Sequence, residues 1–138
     1  MSNKDLYYKW LEAWNTDISL INEIAHNECI VHQARTDDKD SKRYIGPEAL
    51  KEIVSSGTYF FDDYKMSLVV DPIEEGGYVS ARWNFTGKYN GKMDGANVNK
   101  GKEISFDGTD IFYIENGKVK DYWVSSDGVD FMKQLEMI

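Results

Sequence analysis

Apolar positions recur along this chain in two rhythms, and the change of rhythm divides it. From residue 4 to 15, Leu6, Tyr7, Trp10, Leu11 and Trp14 fall at helical spacing among Lys4, Asp5, Lys9 and Glu12, which predicts an amphipathic helix. Asn15-Thr16-Asp17 interrupts it, and Asp17 suits the N-cap of a second helix carrying Ile18, Leu20, Ile21, Ile24 and Ala25. Glu28 to Gln33 reads as a short extended segment. Residues 34–45, ARTDDKDSKRYI, are polar and charged and read as a loop. Gly46-Pro47-Glu48 opens a third helix, with Pro in the first turn and Glu at the positive end of its dipole. Ala49, Leu50, Ile53 and Val54 give it an apolar side, and Ser55-Ser56-Gly57 is expected to end it.

After residue 60 the period becomes two. Tyr64 to Asp71 is one predicted strand, Glu74 to Gly77 a turn, and Tyr78 to Tyr89 the longest strand. On that strand Val79, Ala81, Trp83 and Phe85 share one face, and Ser80, Arg82, Asn84 and Thr86 the other. A connection rich in Gly, Asn and Lys, residues 90–103, leads to a hairpin from Ile104 to Trp123. Its turn is Asn116-Gly117, the pair favoured by a two-residue type I′ turn because both positions need positive φ. Counting outward pairs Glu115 with Lys118, Ile114 with Val119, Phe112 with Asp121 and Asp110 with Trp123. That register gathers Asp110, Phe112, Ile114, Val119, Asp121 and Trp123 on one face. A last helix follows from Val129, with Asp127 placed to cap it. Helices first and antiparallel strands afterwards predict an α+β fold in a single domain, residues 1–138.

Composition narrows the functions. The formal net charge of -8 argues against nucleic acid, which needs clustered Lys and Arg, and against an anionic membrane surface. The N-terminus has no apolar stretch suited to a signal peptide, and no apolar run is long enough to span a bilayer. The one cysteine, Cys29, can form no intramolecular disulfide. Both features lead us to expect a cytoplasmic protein. Cys29 lies in an apolar context and reads as a small core residue rather than a nucleophile.

The candidate chemistry is carboxylic. Burial raises a carboxyl pKa, and a second carboxylate nearby raises one of the pair further. Asp110 and Asp121, on one apolar face, are therefore candidates for general acid/base work beside a carbonyl. The structural alternative is that each is tied to a backbone amide or an indole N–H. His32 either polarises a carbonyl or shuttles a proton, or is bonded to a neighbouring backbone group. Trp14, Trp83, Phe85, Phe112 and Trp123 either line a pocket for a flat apolar ligand or fill the core. A metal site is not expected: His26 and His32 lack the spacing of a helical ligand pair, and Asp37, Asp38 and Asp40 lack the spacing and glycine of an EF-hand. No Walker-type phosphate loop and no acyl-transfer triad is present.

The hairpin also carries a resemblance. Gly101-Lys102, Gly108, Asp110, Gly117-Lys118-Val119, Asp121, Trp123 and Asp127 resemble the C-terminal signature of the SnoaL-like polyketide cyclase (ester cyclase) family, within the NTF2-like superfamily. The resemblance implies a cone: N-terminal helices packed on a strongly curved antiparallel sheet that encloses a pocket. It implies acid/base catalysis without metal or organic cofactor, with Asp121 matching the family's catalytic Asp by strand position. The substrate class would be a small apolar or polycyclic compound with a carbonyl; the alternative is a non-catalytic ligand-binding or assembly module. In the related ketosteroid isomerases an Asp base stands near position 32, and no Asp or Glu occupies 30–33 here. The other face of the hairpin, with Thr109, Ile111, Tyr113, Tyr122 and Val124, is too apolar to meet water comfortably, so a homodimer through the outer sheet face is expected.

Overall fold

A computed structural model describes residues 1–33 and 40–138. The aspartates at 37 and 38, and half of the expected loop, lie outside the described residues.

Among the described residues, four α-helices and five strands follow one another as α1 (Asn3–Asn15), α2 (Ile21–Ile24), β1 (Ala25–His32), α3 (Pro47–Thr58), β2 (Phe61–Glu75), β3 (Tyr78–Tyr89), β4 (Glu103–Glu115), β5 (Lys118–Ser126) and α4 (Gly128–Gln134). Ser2 and Asp5 form a reciprocal capping box at the start of α1. Asp17 does cap, but what it caps is a 3-10 turn over Ile18–Leu20, followed by the single turn of α2. The expected second helix is short because Ala25 already enters β1, which pairs with β5. α3 runs through Gly57 instead of stopping at it.

The sheet order is β1-β5-β4-β3-β2, antiparallel except for the parallel β1/β5 pair, so it is mixed and open. α1 and α3 cover one face. That face carries the core, including Val79, Ala81, Trp83 and Phe85 of β3 as the alternation predicted. This is the α+β arrangement of helices on a curved sheet expected for an NTF2-like cone. Among the described residues no helix is long and apolar enough to cross a membrane.

The β4–β5 hairpin departs from the expected register in one place. Asn116 and Gly117 both have positive φ, 52° and 72°, and Glu115 and Ile114 pair with Lys118 and Val119 as counted. Tyr113 then pairs with Asp121, so Lys120 is an extra residue on β5, a β-bulge. Beyond it every pairing moves by one: Phe112 meets Tyr122, Ile111 meets Trp123, and Asp110 meets Val124. A one-residue slip exchanges faces. Tyr122 therefore joins Asp110 and Phe112 inside, while Asp121 and Trp123 turn to the outer face. The expectation of two aspartates on one face is corrected by this bulge, and the apolar outer face gains Trp123 while losing Tyr122 and Val124.

Candidate functional site

The inner face of the sheet holds one buried charge. Asp110 is the sole charged or polar residue among the buried described residues, and it is 1% exposed. Its carboxylate accepts four hydrogen bonds from side chains. Tyr7 and Trp10 of α1 donate to Oδ2 at 2.8 and 3.3 Å. Trp83 of β3 and Tyr122 of β5 donate to Oδ1 at 3.1 and 2.8 Å. Each oxygen thus takes one phenol and one indole. Two of these donors sit three residues apart on the apolar stripe of α1, so the carboxylate fastens that helix to the middle of the sheet. Gly108, two residues before Asp110, is what seats Trp83: a Cβ there would overlap the indole. The Gly-x-Asp element of the sequence thus has a mechanical reason, since the glycine admits the ring whose N–H grips the aspartate.

Burial pushes the Asp110 carboxyl up to about 6, and the four donors restrain the rise because they favour the ionised form. Burial, with the Asp110 charge beside them, moves the Tyr7 and Tyr122 hydroxyls well above the usual phenol range. They therefore serve as donors and do not ionise. Tyr7, Trp10 and Tyr122 were not singled out from the sequence as partners of this aspartate. Tyr7 and Trp10 were legible as one helical stripe, and Tyr122 was hidden by the bulge.

Beside this network lies a cavity of about 150 Å³. Trp14, Trp83, Phe85, Phe106, Tyr122 and Gln33 are among its walls. Of the five aromatic candidates, Trp14, Trp83 and Phe85 line it. Phe112 is fully buried beneath, packed against Tyr7, Trp10 and Tyr122 at ring separations of 5.3 to 5.9 Å. Trp123 lies on the outer face, 37% exposed, stacked on His32 with 4.9 Å between rings. His32 Nε2 is 2.9 Å from Asp121 Oδ1. The sequence candidates thus fall into two groups. Asp110, Trp83, Phe85, Phe112 and Trp14 face inward, and Asp121, His32 and Trp123 cluster outside.

Among the described residues, no group of His, Cys, Asp and Glu side chains stands close enough to hold a metal ion. The Cys29 thiol is pushed up to about 12 by burial, which leaves it protonated and inert at neutral pH.

Comparison with known proteins is consistent with this architecture. A search of curated proteins finds no significant match. Among solved structures, TsrD from Streptomyces laurentii superimposes with a TM-score of 0.80 at 22% identity, covering 100% of this chain and 99% of that one. IdmH from Streptomyces antibioticus gives 0.81 at 18% identity, covering 98% and 99%. A SnoaL-like polyketide cyclase from Agrobacterium tumefaciens str. C58 gives 0.74 at 14% identity, covering 98% and 99%. At these identities the likeness establishes the fold alone. The family model for SnoaL-like polyketide cyclases matches residues 4–135, nearly the whole chain, and the chain belongs to that family.

Proposed function

We propose that this protein binds a small apolar compound containing a carbonyl in the inner cavity, and that Asp110, acting through Tyr122, exchanges a proton at the carbon next to that carbonyl. One observation carries the reading. Two walls of an apolar cavity, Trp83 and Tyr122, are hydrogen-bonded at their polar ends to a buried carboxylate whose pKa is near neutral. A carboxylate so placed needs no metal to accept a proton. As the ligand's acidic C–H proton passes to the Tyr122 oxygen, the Tyr122 proton passes to Asp110. The ligand is left as an enolate among aromatic walls, Asp110 is left neutral, and no free tyrosinate forms. Return of the proton at a different atom gives an isomer; attack of the enolate on a second carbonyl of the same molecule gives a ring, whose alkoxide takes the proton back from Asp110 through Tyr122.

A second reading has its own support. The Asp110 oxygens already hold four protein donors, and the carboxylate itself is not among the cavity's walls. On that reading the network is structural and the protein binds without turnover. Asp121 and His32, the expected acid and its partner, stand on the outer face in both cases.

The test is deuterium exchange into 1-tetralone in D₂O, followed by proton NMR at the carbon beside the carbonyl, together with a thermal-shift titration. Proton exchange predicts faster loss of that signal than in buffer, and Tyr122→Phe brings the rate back to background while the ketone still raises Tm. A raised Tm with background exchange in both proteins selects the non-catalytic reading.

We further propose that the outer sheet face is a homodimer interface. Ile73, Tyr78, Ile111 and Trp123 are all exposed there, and Tyr78, Tyr113 and Trp123 form one aromatic cluster with ring separations of 5.0 and 6.5 Å. Sedimentation velocity at micromolar concentration checks this: a dimer is expected, and Trp123→Lys should yield a monomer.

A further inference from the structure

Trp14 lines two cavities. The first is the 150 Å³ space beside Trp83 and Tyr122. The second, of about 260 Å³, also has Trp14 in its wall, with Asn15, Ser55, Thr58 and Tyr64. Both draw on the end of α1, the second half of α3 and the beginning of β2, and the first is completed by residues of β3, β4 and β5. On α3, Ile53, Ser56 and Gly57 face the first cavity while Val54, Ser55 and Thr58 face the second. On β2, Met66 faces the first and Tyr64 the second. Trp14 is the one residue that the two walls have in common.

Its position is built with care. Asn15, the next residue, closes two hydrogen bonds with the backbone of Met66, at 2.8 and 2.7 Å, which pins the end of α1 to β2. Gly57 leaves room for the ring: a Cβ at that position would stand 2.7 Å from Trp14 Cη2 and 3.0 Å from Cζ3. Trp10 and Phe85 meet the ring edge-on at 5.8 and 6.3 Å. Yet the polar end of the ring is unused. Trp14 is 7% exposed, and among the described residues its Nε1 is the one buried side-chain donor or acceptor without a hydrogen-bond partner. Native proteins satisfy nearly all such groups, and an exception calls for a reason. The Trp10 and Trp83 indoles both have a partner in Asp110; Trp14 does not.

We propose that Trp14 is the partition of a single two-chambered ligand site, and that its spare N–H donates to an acceptor oxygen of the ligand. The proposal rests on the small-molecule reading above and names how that site selects its ligand. A cavity of about 150 Å³ suits a ligand of benzene size. The two chambers joined pass the roughly 300 Å³ at which sites for larger organic molecules begin. No hydrogen bond holds the indole across the gap, so steric packing alone keeps the chambers apart. A fused-ring ligand that spans both displaces the ring edge and supplies the missing acceptor. A ligand of one ring fits behind the partition and leaves it in place. Ligand class follows: a flat compound of two or three rings, with an oxygen acceptor placed where the chambers meet.

The experiment uses the full chain and three ketones of rising size, acetophenone, 1-tetralone and 9-fluorenone. Each is paired with its hydrocarbon: ethylbenzene, tetralin and fluorene. Affinities are read by thermal shift. Trp14→Ala removes the partition and is expected to tighten 9-fluorenone about tenfold relative to acetophenone. Gly57→Ala pushes the ring aside while keeping every polar group, and is expected to move the ranking in the same direction, which decides the matter if Trp14→Ala fails to fold. Trp14→Phe keeps a ring but lacks the donor, and is expected to erase a three- to tenfold preference for ketone over hydrocarbon, about the worth of one hydrogen bond. If wild type binds 1-tetralone and the size ranking is unchanged in both Trp14→Ala and Gly57→Ala, the partition is overturned and the small-molecule reading stands. If Trp14→Phe keeps the ketone preference, the donor role is overturned. If neither wild type nor the variants bind any of the six, the small-molecule reading fails and the partition with it.

Discussion

The two aspartates of the last hairpin differ more than any other pair of like residues in the molecule. Asp110 lies inside, with four aromatic donors and a carboxyl pushed up to about 6. Asp121 lies outside, part-exposed, paired with His32 beside a stacked indole. Their strands are adjacent and their flanking sequences similar. What separates them is one residue, Lys120, which has no partner across the ladder. Burial and a complete set of donors make one aspartate a fixed part of the interior. The other remains a surface group with, among the described residues, His32 as its ionic partner.

The most drastic way to break the contrast is to shift β5 by one residue beyond the bulge. Deleting Lys120 alone closes the bulge and keeps Tyr113 opposite Asp121 and Phe112 opposite Tyr122, so that variant should fold with Asp121 still outside. Deleting Lys120 and Asp121 together brings Tyr122 opposite Tyr113 and Trp123 opposite Phe112, so Tyr122 and Val124 would turn out and Trp123 would turn in. Asp110 would then lose its Tyr122 donor, and the inner face would have to take an indole where that phenol stands. Those changes together cost several kcal/mol, against a total stability of about 5–15 kcal/mol for a domain. The expected outcome is a double-deletion chain without a cooperative thermal transition beside a single-deletion chain that keeps one; a well-folded double deletion would refute the account of the bulge.

Asp110→Asn comes next. An amide offers one acceptor and one donor. Because each carboxylate oxygen faces both a phenol and an indole, neither orientation of the amide can be satisfied. A phenol hydroxyl can turn and accept, but an indole N–H only donates. We expect a loss of about 2–4 kcal/mol, measured by urea denaturation. Tyr122→Phe removes a single donor to a charged group and is expected to cost about 1.5–3 kcal/mol. It should also move the Asp110 pKa further upward, since that donor restrains the rise.

How much of this could be read beforehand follows from the same residues. The α1 stripe, the alternation on β3 and the Asn116-Gly117 turn were plain, because each depends on neighbours in sequence. So the helices-then-sheet architecture was legible, as was Asp110 as an inward carboxylate. The bulge was not, because Lys120 carries no local signal: a lysine fits a regular strand as well as a bulged one. All of the misplacement of Asp121 and Trp123 came from that one residue. The α2 region failed differently. Its apolar spacing suits a helix, but β5 offered Ala25 onward a ladder to join, and tertiary pairing prevailed over local pattern.

The pH dependence sharpens the comparison. A buried carboxyl with a folded pKa near 6, against an ordinary value of 3.8, binds its proton more readily folded than unfolded. Its contribution to stability is therefore fully present below the unfolded pKa, declines as pH rises between the two values, and is gone above about 6. With about 1.4 kcal/mol per pKa unit, the change is about 3 kcal/mol. Other carboxylates titrate in the same window, so the quantity to measure is the difference in unfolding free energy between wild type and Asp110→Asn from pH 4 to 7. That difference should narrow as pH rises toward 6 and stay flat beyond. A difference independent of pH would mean that Asp110 is no more basic folded than unfolded.

The smallest effect is expected on the outer face. The His32–Asp121 contact, at 2.9 Å, is well formed, but the two side chains are 27% and 23% exposed, so solvent screens it. Asp121→Asn keeps a hydrogen-bonding group in place, and His32 keeps its stack on Trp123. We expect no more than about 1 kcal/mol in unfolding free energy for the isolated chain. The contrast with Asp110→Asn is the point: the same chemical change, made on two neighbouring strands, should differ severalfold in cost. The outer variant then becomes a probe of assembly. If the outer face is a dimer interface, pairing removes water from the His32–Asp121 contact, and the substitution should weaken the dimer more than it weakens the fold. Sedimentation equilibrium of wild type and Asp121→Asn across a hundredfold range of concentration separates the two quantities. An unchanged dimer constant would leave Asp121 with no role beyond its own ion pair.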